Sequence, residues 1–247
     1  SYENVGSDVS KDYYGTTVGK GTQCLVVKKL TQSLIDSDQF SCATSYNQRS
    51  YNSDSEYRSR RYNIVSEGLR LGAVLGRKRQ VRSEESSLKY SRQNTGRIDK
   101  RLIAELGFGN SDVFSQTFVE RYNKAYLHIS VDASGSMGGE KWRQTMISTI
   151  AICKAVDMIQ NVDVMVSFRS THEGGHRRNR DMSSPLILIG YDSRVDKFSK
   201  VKKMFPCIYP GGTTPEGLCF EAILKDIVPT TNNRESYFLN LSDGMPM

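Results

Sequence analysis

From Ala125 onward the sequence alternates two hydrophobic patterns, and this alternation constrains the fold more than any other feature. Ala125–Val131 is an apolar run of strand length, and Glu140–Gln160 carries Trp142, Met146, Ile150, Cys153 and Val156 at helical spacing. Val162–Phe168 and Pro185–Tyr191 read as further strands. Asp196–Phe205 reads as a short helix and Ser236–Leu241 as another strand. Between them Pro215–Ile227 reads as a longer helix, opened by a proline whose missing N–H and fixed φ suit the first turn. Strands alternating with helices imply a doubly wound, mostly parallel α/β sheet with helices on both faces.

In such sheets ligands bind at the carboxyl ends of the strands. The segment that follows the first strand is Asp132-Ala-Ser134-Gly-Ser136. A tight loop there turns one carboxylate and two hydroxyls toward a single point, and hard oxygen donors suit Mg²⁺. The spacing D-x-S-x-S is common in turns, because Asp and Ser bond to their own backbone. Two later segments make it specific: Pro210-Gly-Gly-Thr213-Thr214-Pro-Glu-Gly before a helix, and Asn240-Leu-Ser242-Asp243-Gly244 at a strand end.

Together the three segments resemble the metal-ion-dependent adhesion site of von Willebrand factor A (VWA) domains, which have a Rossmann-like fold. The resemblance implies that Ser134 and Ser136 coordinate a divalent metal directly. It assigns Thr213, rather than Thr214, to the open, high-affinity form, and Asp132 and Asp243 to direct or water-mediated contact. The ion it implies is Mg²⁺, or another divalent cation such as Mn²⁺ or Ca²⁺. In that family an acidic side chain of a partner protein fills the remaining coordination position, so the metal is a connector. Sheets of the family continue beyond the fourth residue after Asp243, and the C-terminal part of the domain is expected to be missing here.

The chain before this domain divides into two stretches. Residues 1–56 are polar and rich in Ser, Tyr and Asp, with one apolar patch at Cys24-Leu-Val-Val, and are expected to be weakly structured apart from a short helix within Leu30–Phe40. Residues 57–120 read as a basic helical region, in which Tyr62, Val65, Leu69 and Leu75 fall roughly on one face. Gly68, Gly72 and Gly76 recur every four residues, a spacing that predicts close approach of another backbone. A helix ended by Gly107 is expected within 98–120. The domain itself is assigned to 121–247.

Charge is concentrated in the middle stretch. Between Arg58 and Arg101 there are thirteen Lys or Arg against Glu67, Glu84, Glu85 and Asp99, while the whole chain carries only +7. Such a segment can hold nucleic acid or an acidic protein surface; a solvated helical face is the alternative.

A closer resemblance runs through Thr95-Gly-Arg-Ile-Asp-Lys-Arg-Leu, Val113-Phe and His128-Ile-Ser-Val-Asp-Ala-Ser-Gly-Ser-Met. These runs, with the basic region before them, are similar to the T subunit of aerobic cobalt chelatase (cobalamin biosynthesis), including versions encoded by large tailed phages. That resemblance implies a non-catalytic subunit in an oligomeric assembly with a MoxR-type AAA+ ATPase. The ATPase and this subunit would remodel a large client, such as a chelatase subunit offering an acidic residue. The competing expectation is a VWA scaffold or virion-associated protein that binds nucleic acid or acidic protein through residues 58–101.

Other signals are weaker. His172-Glu-Gly-Gly-His176 fits H-E-x-x-H, the pattern of zinc metallopeptidases, but that chemistry needs a stable helix. Two glycines followed by Arg177, Arg178 and Arg180 read better as a cationic hairpin loop. His128 reads as a satisfied core residue, and Asp192, Arg194 and Asp196 as a turn with local charge pairs. Five cysteines with no C-x-x-C pair predict reduced thiols in a cytoplasmic protein, in the host cytoplasm or the virion if phage-encoded. No apolar run is long enough to cross a membrane, and the first residues do not form a signal peptide. The absence of an initiator Met is expected for a chain that begins partway into a longer product.

Overall fold

A computed structural model describes residues 13–37, 40, 42–43, 55–83, 86–120, 124–159, 161–173, 183–213, 215–227 and 235–244. The chain is a mixed α/β structure built on a six-stranded sheet. Its strands are β1 (Tyr13–Val18), β2 (Thr22–Val27), β6 (Ala125–Asp132), β7 (Val162–Glu173), β8 (Ser183–Asp192) and β9 (Glu235–Leu241), in the spatial order β1-β2-β8-β7-β6-β9. The pairs β2/β8, β6/β7 and β6/β9 are parallel, whereas β1/β2 and β7/β8 are antiparallel.

Helices cover both faces. Helix α3 (Glu140–Asp157) lays Trp142, Met146, Ile150 and Cys153 against Ile129, Val131, Val164, Val166 and Phe168 of β6 and β7. On the opposite face Cys219 and Ala222 of α5 (Glu216–Ala222), with Ile223 beyond it, pack on Tyr126, Met165, Ile187 and Ile189. Successive residues of a strand point to opposite faces, so the alternation along β6 decides what each helix meets. Ile129 and Val131 face α3, whereas Tyr126, His128, Ser130 and Asp132 face the α5 side. A short helix, α4 (Ser199–Met204), completes the predicted series.

Residues 1–56 are corrected by the sheet. Thr22–Val27 pairs with β8, and Tyr13–Val18 pairs with β2. The apolar patch at Cys24 is therefore a buried strand, not an isolated patch in a weakly ordered stretch; Cys24, Val26 and Val27 are fully buried. Parallel strands take their partner from far along the chain, so local composition does not reveal the pairing. The short helix does form, as α1 (Gln32–Asp36), capped by the Thr31 hydroxyl, which accepts from the Leu34 amide. Residues 1–12 and 44–54 lie outside the described residues.

The stretch 57–120 is only partly helical. It opens with α2 (Ser55–Ser83) and continues as a separate three-stranded sheet, β3 (Ser86–Gln93), β4 (Arg97–Ile98) and β5 (Phe114–Glu120), in the order β3-β5-β4. A 3-10 turn spans Ile103–Phe108, and Gly109, with φ 81, ends it in place of Gly107.

The three aligned glycines of α2 lie against α3, as their spacing predicts. A Cβ at Gly72 would come within 2.5 Å of the Ala151 carbonyl oxygen, one at Gly68 within 2.8 Å of Ile150 Cβ, and one at Gly76 within 2.8 Å of Met158 Sδ. The packed face is this glycine stripe together with Ile64 and Val65. Leu75 was expected on the packed face, but it is exposed. Glu67 and Arg143, 2.6 Å apart, tie the two helices near the start of α3.

Candidate metal centre

The loop after β6 folds back on itself through its own side chains. The Ser134 amide donates to Asp132 Oδ1 at 2.8 Å, an Asx-type turn that fixes the carboxylate at the strand end. The same turn brings the Ser134 and Ser136 hydroxyl oxygens to 3.0 Å. Asp132 and Ser134 are buried, while Ser136 is exposed, so the set opens toward solvent on one side.

The two later segments converge on this loop. The Gly211 amide donates to the Ala133 carbonyl at 2.8 Å, and the Gly135 amide donates to the Gly212 carbonyl at 3.0 Å. These two bonds stitch the Thr213 segment to the Asp132 loop. Gly212 is required twice over: its φ is 77, and a Cβ there would meet Thr171 Oγ1 at 2.5 Å. The Thr213 amide donates to that same Thr171 hydroxyl at 3.1 Å. Thr213 is exposed, and Thr214 lies outside the described residues. From the end of β9, the Ser242 hydroxyl donates to Asp132 Oδ2 at 3.4 Å. The next residue, Asp243, keeps a side chain only 3% exposed and pairs with Lys141 at 3.3 Å.

All five predicted residues therefore belong to segments that meet at one end of β6. Among the described residues no group of three or more His, Cys, Asp or Glu is placed to hold a metal ion; this candidate donor set is different in kind, with two carboxylates and three hydroxyls. Oxygen-only donors fit a hard divalent cation. Adjacent ligands of an octahedral Mg²⁺, with bonds near 2.0–2.1 Å, stand about 2.9 Å apart, close to the 3.0 Å between the two serine hydroxyls.

Sequence reasoning passed over the residues that support the loop from beneath. Arg169 of β7 is fully buried; its Nη1 donates to Ser130 Oγ at 2.6 Å and its Nη2 to Glu216 Oε1 at 3.2 Å. Glu216 also accepts from Asn240 Nδ2 at 2.9 Å. Burial pulls the Arg169 pKa below its ordinary value, while the nearby carboxylates of Asp132 and Glu216 oppose the shift. The signal was a lone arginine closing the strand Val162-Asp-Val-Met-Val-Ser-Phe168, where a cation needs a partner.

The zinc-peptidase pattern does not have the required geometry. His172 and Glu173 end strand β7 and pair with Ser184 and Ser183 of β8, so they are not on a helix; His176 lies outside the described residues. His172 instead packs edge-on against Phe40, with ring centroids 5.5 Å apart. His128 is a core residue as predicted, its Nε2 2.8 Å from the Ser167 hydroxyl and its ring stacked on Phe238, but it is satisfied at one nitrogen only, since its buried Nδ1 has no hydrogen-bond partner among the described residues. Asp192, Arg194 and Asp196 do form a charge-paired turn, with Arg194 Nη2 2.8 Å from Asp192 Oδ2.

Among the described residues no helix is long and apolar enough to cross a membrane. No family model, characterised protein or solved structure matches the chain.

Proposed function

We propose that this chain is a VWA-type docking subunit whose Asp132, Ser134, Ser136, Thr213 and Asp243 hold a divalent cation, Mg²⁺ first among them. The observation that carries the reading is the convergence of the three segments at the carboxyl end of β6. There the Ser134 and Ser136 hydroxyls pair beside a buried Asp132, with Ser136 on the solvent side. A cation held on one side by these oxygens keeps its outward positions for water or for a carboxylate from another protein. Such a site binds and orients a partner; it needs no nucleophile or general base of its own.

On the resemblance to the T subunit of aerobic cobalt chelatase, the partners are a MoxR-type AAA+ ATPase and a large client that presents an acidic residue. Movement of the Thr213 segment relative to the Asp132 loop would couple docking to a change of state. The Gly211 and Gly135 backbone bonds are the contacts such a movement would have to break.

The test is affinity capture from an extract of the source, with Mg²⁺, with EDTA, and with Asp132→Ala. Capture of an AAA+ ATPase with Mg²⁺ alone supports the reading. Capture of the same partners under all three conditions contradicts it, because docking would then not pass through the metal.

A further inference from the structure

The register of the small sheet β3-β5-β4 gives it two unlike faces. Tyr90 stands opposite Gln116 and Ile98 opposite Phe114, and residues two apart on β5 share a side. Tyr90, Ile98, Phe114 and Phe118 therefore project from one face. Lys89, opposite Thr117, and Arg97, opposite Ser115, project from the other. The positions paired along Phe114, Gln116 and Phe118 include no charged residue.

The apolar face is left in water. Tyr90 and Phe118 pack edge-to-face with centroids 5.7 Å apart, yet they remain 50% and 56% exposed, and Ile98 is 47% exposed. Between Lys89 and Phe118, Val113 is the one hydrophobic residue that is buried. Neither hydrophobic cluster of the described residues includes a member of β3, β4 or β5. The turn from β4 to β5 adds Ile103, Leu106 and Phe108, the last 90% exposed. A sheet with one apolar face gains stability by packing that face on another layer, and contiguous exposed apolar surface marks a contact of this kind.

Charge and area select a second copy as that layer. An acidic or a basic partner would find no opposite charge on this face. A second copy would set one uncharged face on another, with Lys89 and Arg97 turned away from the contact despite the chain's net +7. The middle strand is β5, so Phe114, Gln116 and Phe118 run down the centre of the face, where a two-fold axis lets a surface meet itself. The exposed parts of Tyr90, Ile98, Ile103, Leu106, Phe108 and Phe118 supply roughly 600 Å² per copy, so a pair reaches about 1,200 Å², the lower bound of specific interfaces.

We propose that the chain forms a two-fold dimer in which the Tyr90, Ile98 and Phe118 faces of two small sheets pack on each other as a sandwich. The proposal does not depend on the metal.

The test is sedimentation velocity on the full 247-residue chain in EDTA, from about 1 to about 200 µM, a range that spans the dissociation constant expected for so small an interface. The parent should pass from monomer to dimer over this range. Raising the salt should leave the dimer as tight or tighter, since no attraction between charges holds it. Phe118→Lys and Ile98→Lys each bury an unpaired charge in the contact and should weaken dimerisation at least about tenfold. Lys89→Ala, on the other face, and Asp132→Ala, at the metal site, should both dimerise like the parent, which separates this result from the fate of the metal centre. Circular dichroism melts at about 1 µM, where the parent is monomeric, verify the fold of each variant. Hydrogen exchange on the parent at both ends of the range locates the contact without any substitution: protection that grows with concentration should fall within β3, β4, β5 and the turn between β4 and β5. A monomer at every concentration, a dimer as tight in both lysine variants as in the parent, or protection confined to other elements would each overturn the proposal.

Discussion

Arg169 and Glu216 form an ion pair of 3.2 Å beneath the Asp132 loop, with the Arg169 side chain fully buried and the Glu216 side chain 15% exposed. The pair joins β7 to α5, and its hydrogen bonds to Ser130 and Asn240 extend the tie to β6 and β9. The candidate metal ligands on β6 and after β9 therefore rest on one polar network. Removing one member of such a network leaves the other charge buried without compensation. Arg169→Leu is expected to destabilise the fold by about 3–5 kcal/mol, measured by urea denaturation. A loss below about 1 kcal/mol would show that the network does not hold these strands together.

The glycine stripe of α2 allows a prediction whose sign is diagnostic. In an unpacked helix, replacing Gly with Ala stabilises by up to about 1 kcal/mol. At Gly72 the new methyl would instead meet the Ala151 carbonyl oxygen at 2.5 Å. Gly72→Ala should therefore destabilise, by about 1–3 kcal/mol. Gly217→Ala is the control, since open space surrounds that position, and it should be neutral or mildly stabilising. Thermal melts of the two variants moving in opposite directions are the expected result.

His128 makes stability depend on pH. Burial, reinforced by the Arg169 guanidinium, lowers its pKa from 6.5 to about 4. Above pH 6.5 the imidazole is neutral in both the folded and unfolded chains, and its contribution is constant. Between pH 6.5 and about 4 only the unfolded chain takes up the proton, so stability falls as pH falls, by on the order of 3 kcal/mol in total. Below about 4 both forms are protonated and this loss stops. Denaturation midpoints measured across that window should show the decline, and His128→Asn should flatten it.

Much of the α/β domain was legible because it depends on local periodicity. Trp142, Met146, Ile150 and Cys153 repeat at helical spacing, and each predicted strand from Ala125 onward is present, with β7 extending five residues past Phe168 to Glu173. What was not legible depends on distant partners. Cys24 to Val27 resembles any short apolar patch until β8, more than a hundred residues later, pairs with it. Ser86–Gln93 is polar and basic, carries no strand-like alternation of apolar residues, and is paired by β5. At the candidate site, the five proposed oxygen ligands were named from short motifs through a family resemblance. Arg169 and Glu216 could not, because a buried ion pair leaves no spacing in the sequence.

Lys141 pairs with Asp243 and would compete with a cation bound there. Its ammonium lies 3.3 Å from Asp243 Oδ2, while its own side chain is 59% exposed. A pair this exposed on one side is worth at most about 1 kcal/mol. Lys141→Ala should therefore tighten divalent-cation binding by up to about fivefold, read by calorimetric titration with Mg²⁺. Weaker binding in the variant would mean that Lys141 helps to build the site.

The most direct test counts ions. Mn²⁺ is titrated into the full chain, and free Mn²⁺ is followed by electron paramagnetic resonance, in the parent and in Asp132→Ala. The account predicts a single Mn²⁺ per chain, displaced by excess Mg²⁺, and its loss in Asp132→Ala. Binding of the same stoichiometry and affinity in both proteins would place the ion elsewhere and contradict the assignment of Asp132, Ser134, Ser136, Thr213 and Asp243 as the metal centre.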